Sequence, residues 1–111
     1  MKKKYSLIRN EEIAKIVHKR RFVKNEAFVM YYQPNSEVGH TRICISVSKK
    51  HGKAVIRNKI KRQVREMITA LFDFEKQYDY VLIVRNAFLE NDFSCNKEKL
   101  NELYLKLISK K

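Results

Sequence analysis

The sequence predicts a two-layer α+β (α/β) sandwich: a mixed, mostly antiparallel sheet of about four strands with helices packed on it, in the order αβββαβα. Three observations carry this expectation. Residues 42–48 alternate apolar and polar with a period of two, residues 54–71 switch to a period of 3.6, and residues 78–85 form a near-continuous apolar run. At 111 residues the chain is expected to be one domain spanning 1–111. Only two glycines and one proline punctuate it, and there is no internal repeat, so regular structure should be dense.

The elements follow in order. Asn10 is placed to cap a first helix reaching Lys19, with Ile13, Ile16 and Val17 at helical spacing. Phe22 and Val23 predict a short strand. In Ala27–Gln33, Phe28, Met30 and Tyr32 face one way and Val29 and Tyr31 the other. Turn chemistry at residues 34–39 is followed by Arg42–Ser48, where Ile43, Ile45 and Val47 oppose Arg42, Cys44, Ser46 and Ser48. This pattern predicts a hairpin with one polar face. From Ala54, the residues Ile56, Ile60, Val64, Met67, Ile68 and Leu71 form the apolar stripe of a long helix. Tyr78–Arg85 reads as a strand buried on both faces. Asp92 can cap a last helix whose apolar side carries Phe93, Leu100, Leu103, Tyr104, Leu107 and Ile108.

The formal charge is +13, and most of the excess is local. Between Val38 and Arg65 there is no carboxylate, while Arg42, Lys49, Lys50, Lys53, Arg57, Lys59, Lys61, Arg62 and Arg65 supply nine positive charges. On the long helix Arg57, Lys61 and Arg65 form one row four residues apart, with Asn58 and Arg62 in a second row. Both rows are expected opposite the core stripe. Such a ladder suits a phosphate backbone, and Asn58 can donate to a phosphate or 2′-hydroxyl. A second surface is the polar face of the expected hairpin, where Val29 and Tyr31 meet Ser46 and Ser48, with Lys49 and Arg57 at its edge. Tyr31 could stack an unpaired base there.

Other classes are disfavoured. No apolar run approaches the roughly 18 residues of a membrane span. The basic start Met1–Ile8 is followed by Arg9, Asn10, Glu11 and Glu12 where a signal peptide needs apolar residues, so a cytoplasmic location is expected. Cys44 and Cys95 lack zinc-site spacing and are expected as reduced thiols. His18, His40 and His51 fall in separate elements, each expected at the surface, without the paired ligands of a metal-dependent nuclease. A helix-turn-helix DNA reader is disfavoured because the basic helix follows a strand and a Gly52 loop. From the residues alone, a ribosomal or RNA-chaperone protein stays open.

Ser46-Val47-Ser48-Lys49-Lys50-His51-Gly52-Lys53-Ala54-Val55-Ile56-Arg57-Asn58-Lys59-Ile60-Lys61-Arg62 resembles the signature of the ribonuclease P protein family. The similarity in segment order extends from about Leu7 to Leu107. The resemblance implies an accessory subunit of a ribonucleoprotein that hydrolytically removes the 5′ leader of precursor tRNA. Catalysis and Mg²⁺ would belong to the RNA subunit, with no catalytic protein residue. The implied partners are the catalytic RNA and precursor tRNA, with no membrane and no obligate protein partner. The contact to the RNA subunit would comprise Lys50, Lys53, Arg57, Asn58, Lys59, Lys61, Arg62 and Arg65. A leader cleft between the first helix and the sheet would involve Ile13, Val17, Val29, Tyr31, Ser46, Lys49 and Arg57, beside Ser48 of the polar strand face. The family fold also implies a left-handed crossover between parallel strands, against the usual rule. Three departures stand out: Lys59 replaces a common arginine, Cys44 a frequent glycine, and Ile13 and Val17 the phenylalanines that often wall the cleft.

Overall fold

The apolar run around residue 80 becomes the strand on which the rest is arranged. The computed structural model describes residues 3–6, 9–35 and 38–109, so Ser36 and Glu37 of the expected turn lie outside the described residues. In chain order the elements are α1 (Asn10–His18), β1 (Phe22–Lys24), β2 (Phe28–Pro34), β3 (Arg42–Ser46), α2 (Ala54–Leu71), β4 (Tyr78–Val84), α3 (Ala87–Glu90) and α4 (Phe93–Ser109). Short 3-10 turns lie at Lys3–Ser6 and Lys49–His51. The expected order is present, with the brief α3 added before the last helix.

Among the described residues the strands form one sheet in the order β1-β2-β4-β3. β2 is antiparallel to both β1 and β4, whereas β3 runs parallel to β4 with α2 as the connection. This corrects the expected β2–β3 hairpin, because β4 lies between those strands. The physical reason is burial: β4 is apolar on both faces and needs a neighbour on each side. The link from β2 to β3 must then bridge two strand spacings, about 10 Å. It is fastened across the start of β4 by side chains. Asn35 Nδ2 donates to the Asp79 carboxylate (2.5 Å) and to the His40 carbonyl (3.0 Å), and the Thr41 hydroxyl donates to the Lys76 carbonyl (2.6 Å). The tight hairpin is instead β1–β2, turned at Asn25, whose Oδ1 accepts from the amides of Ala27 (3.0 Å) and Phe28 (3.1 Å).

Directly paired residues share a face of a sheet, so the register assigns the layers. One face carries Val23, Met30, Leu82 and Ile45, with Phe28, Val84, Tyr80 and Ile43. It packs against Ile60, Val64, Met67 and Ile68 of α2 and Leu100, Leu103, Tyr104 and Leu107 of α4. Phe72, just past α2, stacks on Tyr104 with ring centroids 4.1 Å apart and meets Tyr80 edge-on. Asp92 caps α4 as expected, accepting from the Cys95 amide at 2.8 Å. The first-turn residues of both long helices depart from the expected stripes: Ile56 is 46% exposed and Phe93 39%, both lining an open recess with Lys59 and Leu89.

Among the described residues the α-helix on the opposite face is α1, which begins at Asn10 with Arg9, not Asn10, in the capping position. Three rows cross this face: Phe22–Tyr31–Val81–Cys44, then Lys24–Val29–Ile83–Ser46, then Gln33–Asp79–Arg42. α1 lies near the last row. Arg42 joins the Asp79 carboxylate (2.7 Å) to Glu12 on α1 (2.6 Å), and Ile16 and Val81 are buried on this side.

The Glu12 carboxyl is held below its ordinary pKa of 4.5, first by the hydrogen bond from Arg42. A carboxylate depressed in the folded state stabilises the fold above its unfolded pKa, and that contribution is lost as pH falls through the folded value. Glu12→Gln should therefore flatten the acid limb of the stability curve. Urea midpoints measured between about pH 6 and 3 should fall less steeply for the variant than for the parent chain.

Candidate nucleic-acid interface

The basic residues are positioned by a tight connection between β3 and α2. Ser48 Oγ accepts from the Lys50 amide (3.3 Å), capping the turn Lys49–His51. His51 is not the surface residue expected. It is buried, and its Nε2 lies 3.1 Å from the Val84 carbonyl, which requires that nitrogen to carry the proton. This bond pins the loop to the end of β4. Gly52 then adopts φ 136°, ψ −172°. That region is essentially restricted to glycine, and a Cβ there would also stand 3.1–3.2 Å from Ile56 side-chain atoms.

α2 starts immediately afterwards with no acidic residue in its first turn. Its positive end is thus left to attract anions, reinforced by the exposed Lys53. The two rows expected opposite the core divide differently. Asn58 and Arg62 are exposed, as expected. Arg57 and Lys61 are half-buried and only Arg65 of that row is exposed, because at about 100° per residue the row lies beside the core stripe and not behind it. Lys61 and Arg65 close around the β3 edge, lining a recess of about 190 Å³ with Ser6, Ile43, Cys44 and Ile45. The Cys44 thiol is pushed up by burial, against the opposing pull of the nearby Lys61 charge. Arg57 Nε is buried and has no hydrogen-bond partner among the described residues. Lys59 falls on the other flank, beside Ile56, Gln63 and Phe93, and is not brought together with the row.

The second surface also changes. Val29 and Tyr31 do not face Ser46 across a hairpin; Ile83 and Val81 of β4 stand between them. All five nevertheless share the α1 face, and Val29, Tyr31 and Ile83 remain half-buried while Ser46 is exposed. Ser48 lies past the strand, where Ser48, Lys50, His51, Ile83, Arg85 and Asn86 line a recess of about 350 Å³ at the end of the second row. Ile13 and Val17 sit half-buried on α1, flanking Ile16. Sequence reasoning passed over Phe22, whose ring lies 5.2 Å from that of Tyr31. Phe22-Val23-Lys24 is too short to give a periodic signal; the structure shows Val23 buried and its two neighbours exposed.

Among the described residues, no group of three or more His, Cys, Asp or Glu is placed to hold a metal ion, and no helix is long and apolar enough to cross a membrane. An open α+β sheet bordered along one edge by a helix with five cations and one carboxylate, Glu66, defines a small polyanion-binding protein. The ribonuclease P family model matches residues 1–108. The chain is 44% identical over 110 residues to the ribonuclease P protein component of Mesoplasma florum, covering 97% of this chain and 99% of that one. It is 37% identical to the same component of Bacillus cereus (strain AH187), covering 94% and 91%. Its fold is similar to the RNase P protein of Staphylococcus aureus (TM-score 0.81, 33% identity, 94% of both chains) and of Thermotoga maritima (0.74, 33%, 88% and 94%). The chain therefore belongs to the ribonuclease P protein family. As such it is an accessory subunit of an RNA-based enzyme, partners the ribonuclease P RNA, and acts in processing of the tRNA 5′ leader.

Because the Gly52 conformation sets where α2 begins, Gly52→Ala should destabilise the chain by about 1–3 kcal/mol. Denaturant unfolding measures this directly.

Proposed function

We propose that the chain, acting as one domain over residues 1–111, works in the cytoplasm on two contiguous surfaces. Lys50, Lys53, Arg57, Asn58, Lys61, Arg62 and Arg65 hold the ribonuclease P RNA. The α1 face of the sheet, with Ile13, Val17, Val29, Tyr31, Ser46 and Lys49, takes the single-stranded leader of precursor tRNA. The observation that carries this reading is the placement of Lys61 and Arg65 at the β3 edge, beside Cys44 of the open sheet face. It supports reading the basic helix and the open sheet face as one continuous surface. Arg57 belongs to both parts.

The charges act by neutralising phosphates, and the arginines add a planar fork matched to phosphate oxygens. The half-buried apolar floor suits the faces of unpaired bases, which stack without regard to sequence. Mg²⁺ stays with the RNA; bringing the six cationic side chains of the first surface beside it lowers the repulsion between RNA segments that must approach one another. No protein side chain needs to enter the hydrolytic step.

Reconstitution tests this. The purified chain added to a ribonuclease P RNA, with no second protein, should raise cleavage of precursor tRNA at moderate Mg²⁺, while the chain alone cleaves nothing. Unchanged cleavage across a protein titration sinks the reading. Within that assay Arg62→Ala with Arg65→Ala should weaken binding to the RNA subunit, whereas Tyr31→Ala should mainly reduce discrimination of precursor from mature tRNA. Equal effects on both measurements would refute the division into two surfaces.

Salt provides an independent measure. If about five or six phosphates are neutralised, affinity for the RNA subunit should drop by roughly two to three decades between 50 and 200 mM monovalent salt. Filter-binding or anisotropy titrations give the slope, and a flat response contradicts the ladder.

A further inference from the structure

The sheet face under α1 continues past Tyr31 to the edge strand β1, where the chain places a large aromatic in partial contact with water. Phe22 is 37% exposed although its neighbour Val23 is buried in the core. It pairs with Tyr31 in the register, and the two rings lie 5.2 Å apart at 48°. Lys24 Nζ stands 6.0 Å from the centre of the Phe22 ring, at the outer limit of a cation–π contact. From Ile13 to Asn25 there is no carboxylate, and Lys19, Arg20, Arg21 and Lys24 are all exposed. Both edges of the same face are thus basic: β1 with its flanking cations, and β3 with Lys61 and Arg65. Between the edge strands lie three strand spacings, about 14 Å, crossed by Phe22, Tyr31, Val29, Ile83 and Ser46. That is the composition of a single-strand track, cations holding the backbone and rings carrying the bases.

We propose that Phe22 and Tyr31 form a two-ring stacking platform, in which Phe22 takes an unpaired nucleobase of the leader beyond the one at Tyr31 and Lys24 binds the adjoining phosphate. This rests on the leader-binding reading and extends it to β1, a strand outside the residues assigned above. It also gives aromatic character to a cleft in which α1 contributes only Ile13 and Val17. A merely structural cross-strand pair would be served equally by another large apolar side chain; a stacking platform needs a ring.

The test uses the holoenzyme reconstituted with ribonuclease P RNA and precursor tRNA carrying either a long leader or a single leader nucleotide. Phe22→Leu should weaken binding of the long-leader substrate about tenfold, leave the one-nucleotide substrate unchanged, and be rescued by Phe22→Trp. The chain contains no tryptophan, so Phe22→Trp also supplies a unique fluorophore. Its emission should be quenched by long-leader precursor and not by mature tRNA, while Leu105→Trp on α4 shows no such difference. If Phe22→Leu binds like the parent while Tyr31→Ala loses precursor discrimination, the extension fails and the leader reading stands. If neither variant changes discrimination, the leader reading falls and the extension with it. Quenching by the RNA subunit alone overturns the proposal by placing the ring on the catalytic RNA.

Discussion

β4 must be covered on both faces, and the chain has unequal means of doing so. Two long helices, α2 and α4, close one face with a continuous aromatic and aliphatic core. On the other, α1 has nine residues, and it is drawn to one end of the sheet where Arg42 links Glu12 to Asp79. The central Val81 is covered, but Val29, Tyr31 and Ile83 remain half-exposed. The open floor is therefore a consequence of how a short helix is anchored. Asp79 is almost fully buried, so removing Arg42 would leave a carboxylate without its cation in a poorly solvated place. The ion triad thus fixes both where α1 lies and how much of the floor it leaves uncovered.

α2 has to serve two layers at once. Ile60, Val64, Met67 and Ile68 fill the closed side, while Lys61 and Arg65 of the adjacent row line the β3 edge. A basic row behind the core would have faced solvent away from the sheet and formed a separate surface. A row beside it joins the sheet. The buried His51 and the glycine-only backbone at Gly52 hold this arrangement by fixing where the helix starts.

Much of the candidate interface was legible in the chain. The concentration of cations between Arg42 and Arg65 requires no coordinates, and the two-residue period of Phe28–Tyr32 correctly separates Tyr31 and Val29 from the core. Lys59 enters the RNA contact through the family resemblance and not through either row, and the structure sets it on the opposite flank of α2 from Lys61, beside Gln63 and Phe93. Phe22 went unassigned because three residues are too few for a periodic signal, and its value comes from Tyr31, its partner on β2.

Local patterning by itself determined the element order, the buried character of β4 and the basic helix, since each depends on residues a turn or two apart. Strand neighbourhood was decided only in three dimensions. β2 and β3 read as a hairpin because a turn-rich link joins them, but the need to bury both faces of β4 outweighs that local preference and inserts it between them. The same insertion carries the α1 face from Phe22 at one edge to Ser46 at the other, a surface assembled from four strands that no single segment of sequence contains.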